Sequence, residues 1–278
     1  MNEIKPDHTQ STASYVGRHG LRAAWAVMTH RSFSWFKVFI AREHRTVVVL
    51  NPKVGTTTFR NVVQRAYREV LGHRNLSNGL YRSIKKAREF PIPPPWDYIH
   101  AFSHSEQYNF YCFVRNPYSR LKSAWLDKLA LGHETAYPPS IRGKVISRIR
   151  HFARDHDLPG QEEGSAVPFA TFVAYVAAPT TGKRNHHWDE QYSILLMDCI
   201  LYSQVFKMET QFAEGTKQIL ARLGVPESWT EEVLAKPINQ SPKITQEVYT
   251  AELAAQVQRA FARDFAVLGY DADSWRGM

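Results

Sequence analysis

Residues 45–60 read RTVVVLNPKVGTTTFR, a strand, a glycine loop and the start of a helix in sixteen residues. Residues 45–51 form a β-branched run that ends at Asn51-Pro52, the pattern of a buried parallel strand. After a short loop, Phe59, Val62, Val63, Ala66, Tyr67 and Val70 recur at helical spacing as far as Leu71, and Gly72 closes the helix. Strand, loop and helix make the first half of a βαβ unit. Gly55 allows a tight turn, and Thr56, Thr57 and Thr58 place hydroxyls beside the free N–H groups of a helix N-terminus. Such an end suits a tetrahedral anion, and Lys53 adds a positive charge beside it. The order differs from a Walker A loop, because the lysine precedes the glycine. Taken alone, a structural turn explains the loop equally well.

Working outward, Tyr108–Val114 (YNFYCFV) reads as a second strand, with Arg115 at its C-terminal end. That is the end where ligands bind in open α/β sheets. Asn116 and Pro117 supply an N-cap and first helical residue for a helix to about Leu131, with Ser123 inside it. The fork of Arg115 and the hydroxyl of Ser123 suit a phosphate; an arginine paired with a carboxylate and an ordinary helical serine are the alternative. Tyr98–Phe102 is expected to be a short strand, and 73–97, ending in FPIPPPWD, a stiff connector. Residues 133–166 read as an insertion in which Ile141, Val145, Ile149 and Phe152 share a helix face, while Arg142, Lys144, Arg148, Arg150 and Arg154 point elsewhere. Pro168 opens another helix, a strand follows around Ile200–Lys207, and helical patterns occupy 212–223, 227–235 and 247–268. Alternating strands and helices predict a P-loop-like, three-layer α/β domain with a central, mainly parallel sheet and helical insertions.

The 278 residues, 44% hydrophobic and 13% aromatic, exclude a collagen-like or wholly disordered chain. The expected organisation is an N-terminal arm over 1–18 and one domain over 19–278. Lys+Arg 35 against Asp+Glu 26 leaves +9, which favours polyanionic or phosphate-bearing ligands without choosing among them. Cys112 and Cys199 lie in apolar runs and read as buried free thiols of a reducing compartment. The first 20 residues lack the apolar centre of a signal peptide, and no run of 18 uncharged apolar residues occurs. A cytoplasmic protein without a membrane span is the expectation. Between Leu21 and Ile40, Trp25, Met28, Trp35, Phe36 and Phe39 read as cover for a core, with peripheral membrane contact as the alternative.

PKVGTTTFR and FVRNPYSRLKSAW together resemble the cofactor-binding signatures of sulfotransferases that use 3′-phosphoadenosine 5′-phosphosulfate (PAPS). The family includes Golgi carbohydrate sulfotransferases and heparan 2-O-sulfotransferase. The first segment is similar to its Pro-Lys-Val/Thr-Gly-Ser/Cys/Thr loop. The second is similar to Val-Arg-x-Pro-x-x-Arg-Leu-x-Ser-x-Tyr, with Trp125 as the last aromatic. Two later blocks also match: His187-Trp188 with Cys199-Ile200, Tyr202 and Lys207-Met208-Glu209-Thr210, and Phe261–Phe265 with Gly269-Tyr270. All stand in family order.

The resemblance implies PAPS as co-substrate and no metal. Lys53 would contact the oxygen that bridges sulfur and the 5′-phosphate, and Val54, Gly55, Thr56, Thr57 and Thr58 would hold that phosphate. Arg115 and Ser123 would bind the 3′-phosphate. A base must also take the acceptor's proton. The family's His-x-His corresponds to the stretch holding His100 and His104; His100 is the first expectation, His104 the second, and Glu106 an alternative. His186 and His187 either line the acceptor cleft or pack as hydrogen-bonded histidines beside Trp188. The arginines of 142–154 face an anionic acceptor or water, and Lys236 and Lys243 flank a loop that would close over the nucleotide. The implied acceptor is a hydroxyl of a saccharide or glycolipid. A P-loop-like small-molecule kinase and a basic polyanion-binding module are the alternatives. No base-reading module for nucleic acid is recognisable, and the sequence leaves oligomeric state undetermined.

Overall fold

The computed structural model describes residues 21–30, 33–34, 37–72, 93–129, 139–162, 166–179, 185–235 and 248–276. The contacts gather into two compact units, residues 1–115 with 191–243, and residues 116–190 with 244–278. The second unit takes in the C-terminal helices as well as the 133–166 segment.

In the first unit, α1 (Leu21–Thr29) precedes β1 (Val38–Ala41) and β2 (Thr46–Val49). Helix α2 (Thr56–Ala66) continues through a π-helical turn, Tyr67–Leu71. Then come α3 (Pro95–Ser103), a 3₁₀ turn at Ser105–Gln107 and β3 (Asn109–Val114). The sheet runs β1-β2-β3-β4, where β4 is Gln204–Lys207. Helices Met208–Arg222 and Glu227–Ala235 follow β4. Strands β2, β3 and β4 are parallel, with Val49 opposite Cys112 and Val114 opposite Lys207, while β1 runs antiparallel at the edge. Every residue of β2 is buried, which explains its unbroken β-branched sequence: both faces of the strand are covered. One face carries Phe59, Val62, Val63 and Ala66 of α2, packed in one core with Phe113, Phe206, Ile219 and Leu220. Each such valine, leucine, isoleucine or phenylalanine side chain contributes about 1.5–3 kcal/mol on burial.

Two expectations need correction here. Tyr98–Phe102 is not a strand but lies in α3, opened by Pro95 and burying Tyr98, Ala101 and Phe102 on one face. Trp25 does not cover the core: 71% of its surface is exposed, whereas Phe39 is buried as expected. Trp35 and Phe36 lie outside the described residues.

The second unit comprises α4 (Pro117–Lys128), α5 (Pro139–Asp155), α6 (Phe169–Ala177), α10 (Ala251–Ala260) and α11 (Ala262–Leu268), the two helices after β4 being α8 and α9 and the single turn Gln191–Ile194 being α7. Its core joins Tyr118, Leu121, Ile149, Phe172, Trp188, Tyr249 and Phe261. Ile149 and Ala153 are fully buried, so the 133–166 segment supplies part of this core rather than decorating it. Within that segment Lys144, Arg148 and Arg154 are exposed and Arg150 is half-buried. Cys112 is buried and Cys199 half-buried, both reduced; burial pushes the Cys112 thiol well above its ordinary pKa. Among the described residues no helix is long and apolar enough to cross a membrane.

Candidate functional site

The loop from β2 to α2 turns through two residues in the left-handed region, Lys53 at φ 71° and Gly55 at φ 74°. Gly55 is required twice over. The positive φ favours glycine, and a Cβ there would lie 2.7 Å from the ring of Phe212, which caps the loop. The hydroxyl of Thr56 donates back to the carbonyl of Asn51, and the Phe59 N–H donates to the Gly55 carbonyl at 2.9 Å. Helix α2 therefore starts at the loop, and its first-turn amides, which have no intrahelical acceptor, face outward from its end. Val54 is buried and anchors the loop in the core; Thr57 is exposed, and Lys53, Thr56 and Thr58 are half-buried.

The next cation is fixed to this loop. The Arg115 guanidinium donates to the Lys53 carbonyl at 3.1 Å. A buried amide then locks the two strand ends together. Gln191, fully buried, accepts from Asn51 Nδ2 at 2.8 Å and from the Arg115 N–H at 2.9 Å through its Oε1. Its Nε2 donates to the Arg115 carbonyl at 2.7 Å, and Asn51 also donates to the Phe113 carbonyl at 3.3 Å. Lys207 ends β4 opposite Val114, and its N–H donates to Gln211 Oε1 at 2.9 Å. Because β2, β3 and β4 are parallel, Lys53, Arg115 and Lys207 all emerge at the same edge of the sheet. Sequence reasoning missed Gln191 altogether and treated Lys207 only as part of a matching block. Its position one residue before a helix, at the close of a strand, was the available signal.

Ser123 lies half-buried in α4 of the second unit. That helix is capped by Asn116, whose Oδ1 accepts from the Tyr118 N–H at 2.9 Å. Arg120, 2% exposed, donates to the carbonyls of Asp189 at 2.7 Å and His186 at 3.1 Å, so it holds the turn carrying the two histidines. His187 Nδ1 sits 2.9 Å from Asn185 Oδ1, and Trp188 packs edge-on against Phe172 at 5.3 Å. This is the packed, hydrogen-bonded alternative for His187, whereas His186 is exposed. Arg263 pairs with Glu190. Arg142 has no described side chain, and Lys236 and Lys243 lie outside the described residues.

The expected bases lie at the N-terminal end of β3. His100 Nδ1 is 2.9 Å from the Tyr108 hydroxyl, and His104 stacks on His100 with ring centroids 4.7 Å apart. Tyr108 immediately precedes β3, whereas Arg115 immediately follows it. The six residues of β3 put about 20 Å between these ends, at ~3.3 Å per residue. Glu106, in the turn before Tyr108, lies at that same far end. None of the three reaches a group held at Lys53.

Residues 36–271 match the model of the sulfotransferase family. Carbohydrate sulfotransferase 11 of Rattus norvegicus is 25% identical over 248 residues, covering 85% of this chain and 67% of the relative. Carbohydrate sulfotransferase 10 of Gallus gallus is 27% identical over 276 residues, covering 87% and 70%. Carbohydrate sulfotransferase 14 of Danio rerio is 23% identical over 242 residues, covering 84% and 62%. No solved structure matches the chain.

Proposed function

The chain belongs to the sulfotransferase family, and we propose that it moves the sulfuryl group of PAPS to a hydroxyl of a saccharide, free or carried on a lipid. The carrying observation is that Lys53, Arg115 and Lys207 stand with the N-terminus of α2 at one edge of a parallel sheet. Fixed cations and amide dipoles of this kind neutralise a transferring anionic group at no cost in reorganisation. The relatives' names add the saccharide as acceptor class.

In this reading the Gly55–Thr58 amides and hydroxyls hold the 5′-phosphate. Arg115 holds the 3′-phosphate, with Ser123 as its expected second contact. The acceptor oxygen attacks sulfur in line while the bond from sulfur to the 5′-phosphate oxygen breaks. The bonding pair goes to that oxygen, and adenosine 3′,5′-bisphosphate leaves. Lys53 stabilises the charge that develops there. Tethering the Arg115 side chain to the Lys53 carbonyl fixes the distance between the two phosphate sites, the positional contribution to rate. The acceptor's proton goes to a base other than His100, His104 or Glu106.

The test is incubation of the purified chain with PAPS and a pool of glycans and glycolipids, read by mass spectrometry. A product heavier by one SO3, with matching release of adenosine 3′,5′-bisphosphate, is expected. Consumption of ATP with magnesium and no use of PAPS would instead establish a kinase. Salt-sensitive binding of polyanions without any transfer would leave only a basic module.

A further inference from the structure

The end of the sheet remote from the donor loop has its own cleft. Helices α1 and α3 pack side by side there, and Leu21, Arg42, Trp96, His100, Ser103 and His104 line a space of about 400 Å³. Its walls combine two features. Leu21, Trp96 and Ile99 are large apolar side chains left exposed, Trp96 by 63%. Ser103 is 94% buried (6% exposed), yet its hydroxyl has no hydrogen-bond partner. A buried polar group in that state destabilises the fold unless something supplies the missing bond.

The remaining polar groups narrow the occupant. Arg42 stands at the rim, 48% exposed, with Nη1 3.3 Å from Asp97 Oδ1. One carboxylate does not saturate the five donors of a guanidinium. His100, whose Nδ1 is held at the Tyr108 hydroxyl, is kept below its ordinary pKa by burial and then by the charge of Arg42. It therefore presents a neutral ring of fixed orientation. Arg45 lies over the Tyr108 ring, its Cζ 5.5 Å from the centroid, and donates to Gln107 at 2.8 Å. An exposed indole face, a buried hydroxyl, imidazoles and an arginine form a surface for a ring with one apolar face and several hydroxyls. An acyl chain or membrane surface would cover Trp96 but leave the Ser103 hydroxyl unbonded.

We propose that this cleft binds a pyranoside ring bearing a carboxylate, a uronoside unit, with the ring against Trp96, a hydroxyl on Ser103 and the carboxylate on Arg42. The inference takes its biological source from the saccharide reading above: a distal unit of the acceptor chain would dock here, away from the reacting hydroxyl. Its binding chemistry does not depend on that reading.

Titration calorimetry on the full chain, with methyl glucuronide and methyl glucoside as probes, tests it. Methyl glucuronide is expected to bind at least about tenfold more tightly than methyl glucoside. Trp96→Ala and Arg42→Gln should each weaken methyl glucuronide by about tenfold, with circular dichroism unchanged, while Lys53→Ala leaves it unaltered. Ser103→Ala should weaken both probes. No uronoside binding, binding indifferent to Trp96→Ala, or binding abolished by Lys53→Ala would overturn the proposal. So would Trp96-dependent flotation with anionic phospholipid vesicles in place of uronoside binding. Sulfate transfer measured on the same samples separates the two ideas. An inactive wild type defeats the proposed function whatever the cleft binds, and an active one that ignores the uronoside defeats only the cleft.

Discussion

Lys53 occupies a backbone conformation that L side chains adopt at a cost, φ 71°, and its carbonyl is the acceptor for the Arg115 guanidinium. That conformation falls in the loop where the transferring group is to be held, a usual place for such strain. Replacing the side chain alone keeps that carbonyl and the fold. Lys53→Ala is expected to lower sulfate transfer by about 10²–10³-fold, with unfolding by urea unchanged. The histidines make the opposite case. His100→Ala and His104→Ala should each retain transfer within about twofold, since a general base contributes 10²–10⁴-fold and neither side chain reaches the reaction. A large drop in kcat on a short acceptor would reverse this placement. The apolar run Tyr98-Ile99-His100-Ala101-Phe102 is by itself readable as strand or buried helix. The local signal that decides is Pro95 at a helix start with Tyr98, Ala101 and Phe102 at helical spacing, as in α3.

At the scale of elements, the β2–loop–α2 unit was legible from residues 45–71 because each signal was local: the β-branched run, the glycine turn, the apolar spacing. The fastening of β2 to β3 was not. It depends on Gln191, more than 70 residues beyond Arg115 and 140 beyond Asn51, and no local pattern marks a glutamine as a buried bridge. Gln191→Leu removes one acceptor and one donor, leaving the Asn51 amide and both backbone groups of Arg115 without these bonds. It should cost about 2–4 kcal/mol in urea unfolding and weaken adenosine 3′,5′-bisphosphate as Arg115 loosens. In the 133–166 segment the helical spacing was visible, but that Ile149 enters the core of the second unit is a fact of tertiary packing.

Across the whole molecule, the +9 excess resolves into separate groups. Lys53, Arg115 and Lys207 share one sheet edge, Arg42 and Arg45 the other end of the first unit, and Lys144, Arg148 and Arg154 face solvent in the second. Each unit also buries a tyrosine whose hydroxyl is pushed up to about 12, Tyr67 by burial and then Glu43, Tyr118 by burial and then Asp273 and Asp271. Both are acids favoured neutral when folded, so the unfolded chain loses its protons first as pH rises. Stability should hold up to the ordinary value of 10 and fall between pH 10 and about 12. Stepped-pH urea unfolding checks this, and Tyr118→Phe should flatten the decline.

In the proposed function the C-terminal edge of β2, β3 and β4 receives a nucleotide with phosphates at both 3′ and 5′ positions. Titration calorimetry with adenosine 3′,5′-bisphosphate and with ATP plus magnesium, on wild type and Arg115→Ala, tests it most directly. The bisphosphate is expected to bind at least about tenfold more tightly, and Arg115→Ala to lose most of that preference. Tighter binding of ATP with magnesium, or a bisphosphate affinity that Arg115→Ala leaves untouched, would contradict it.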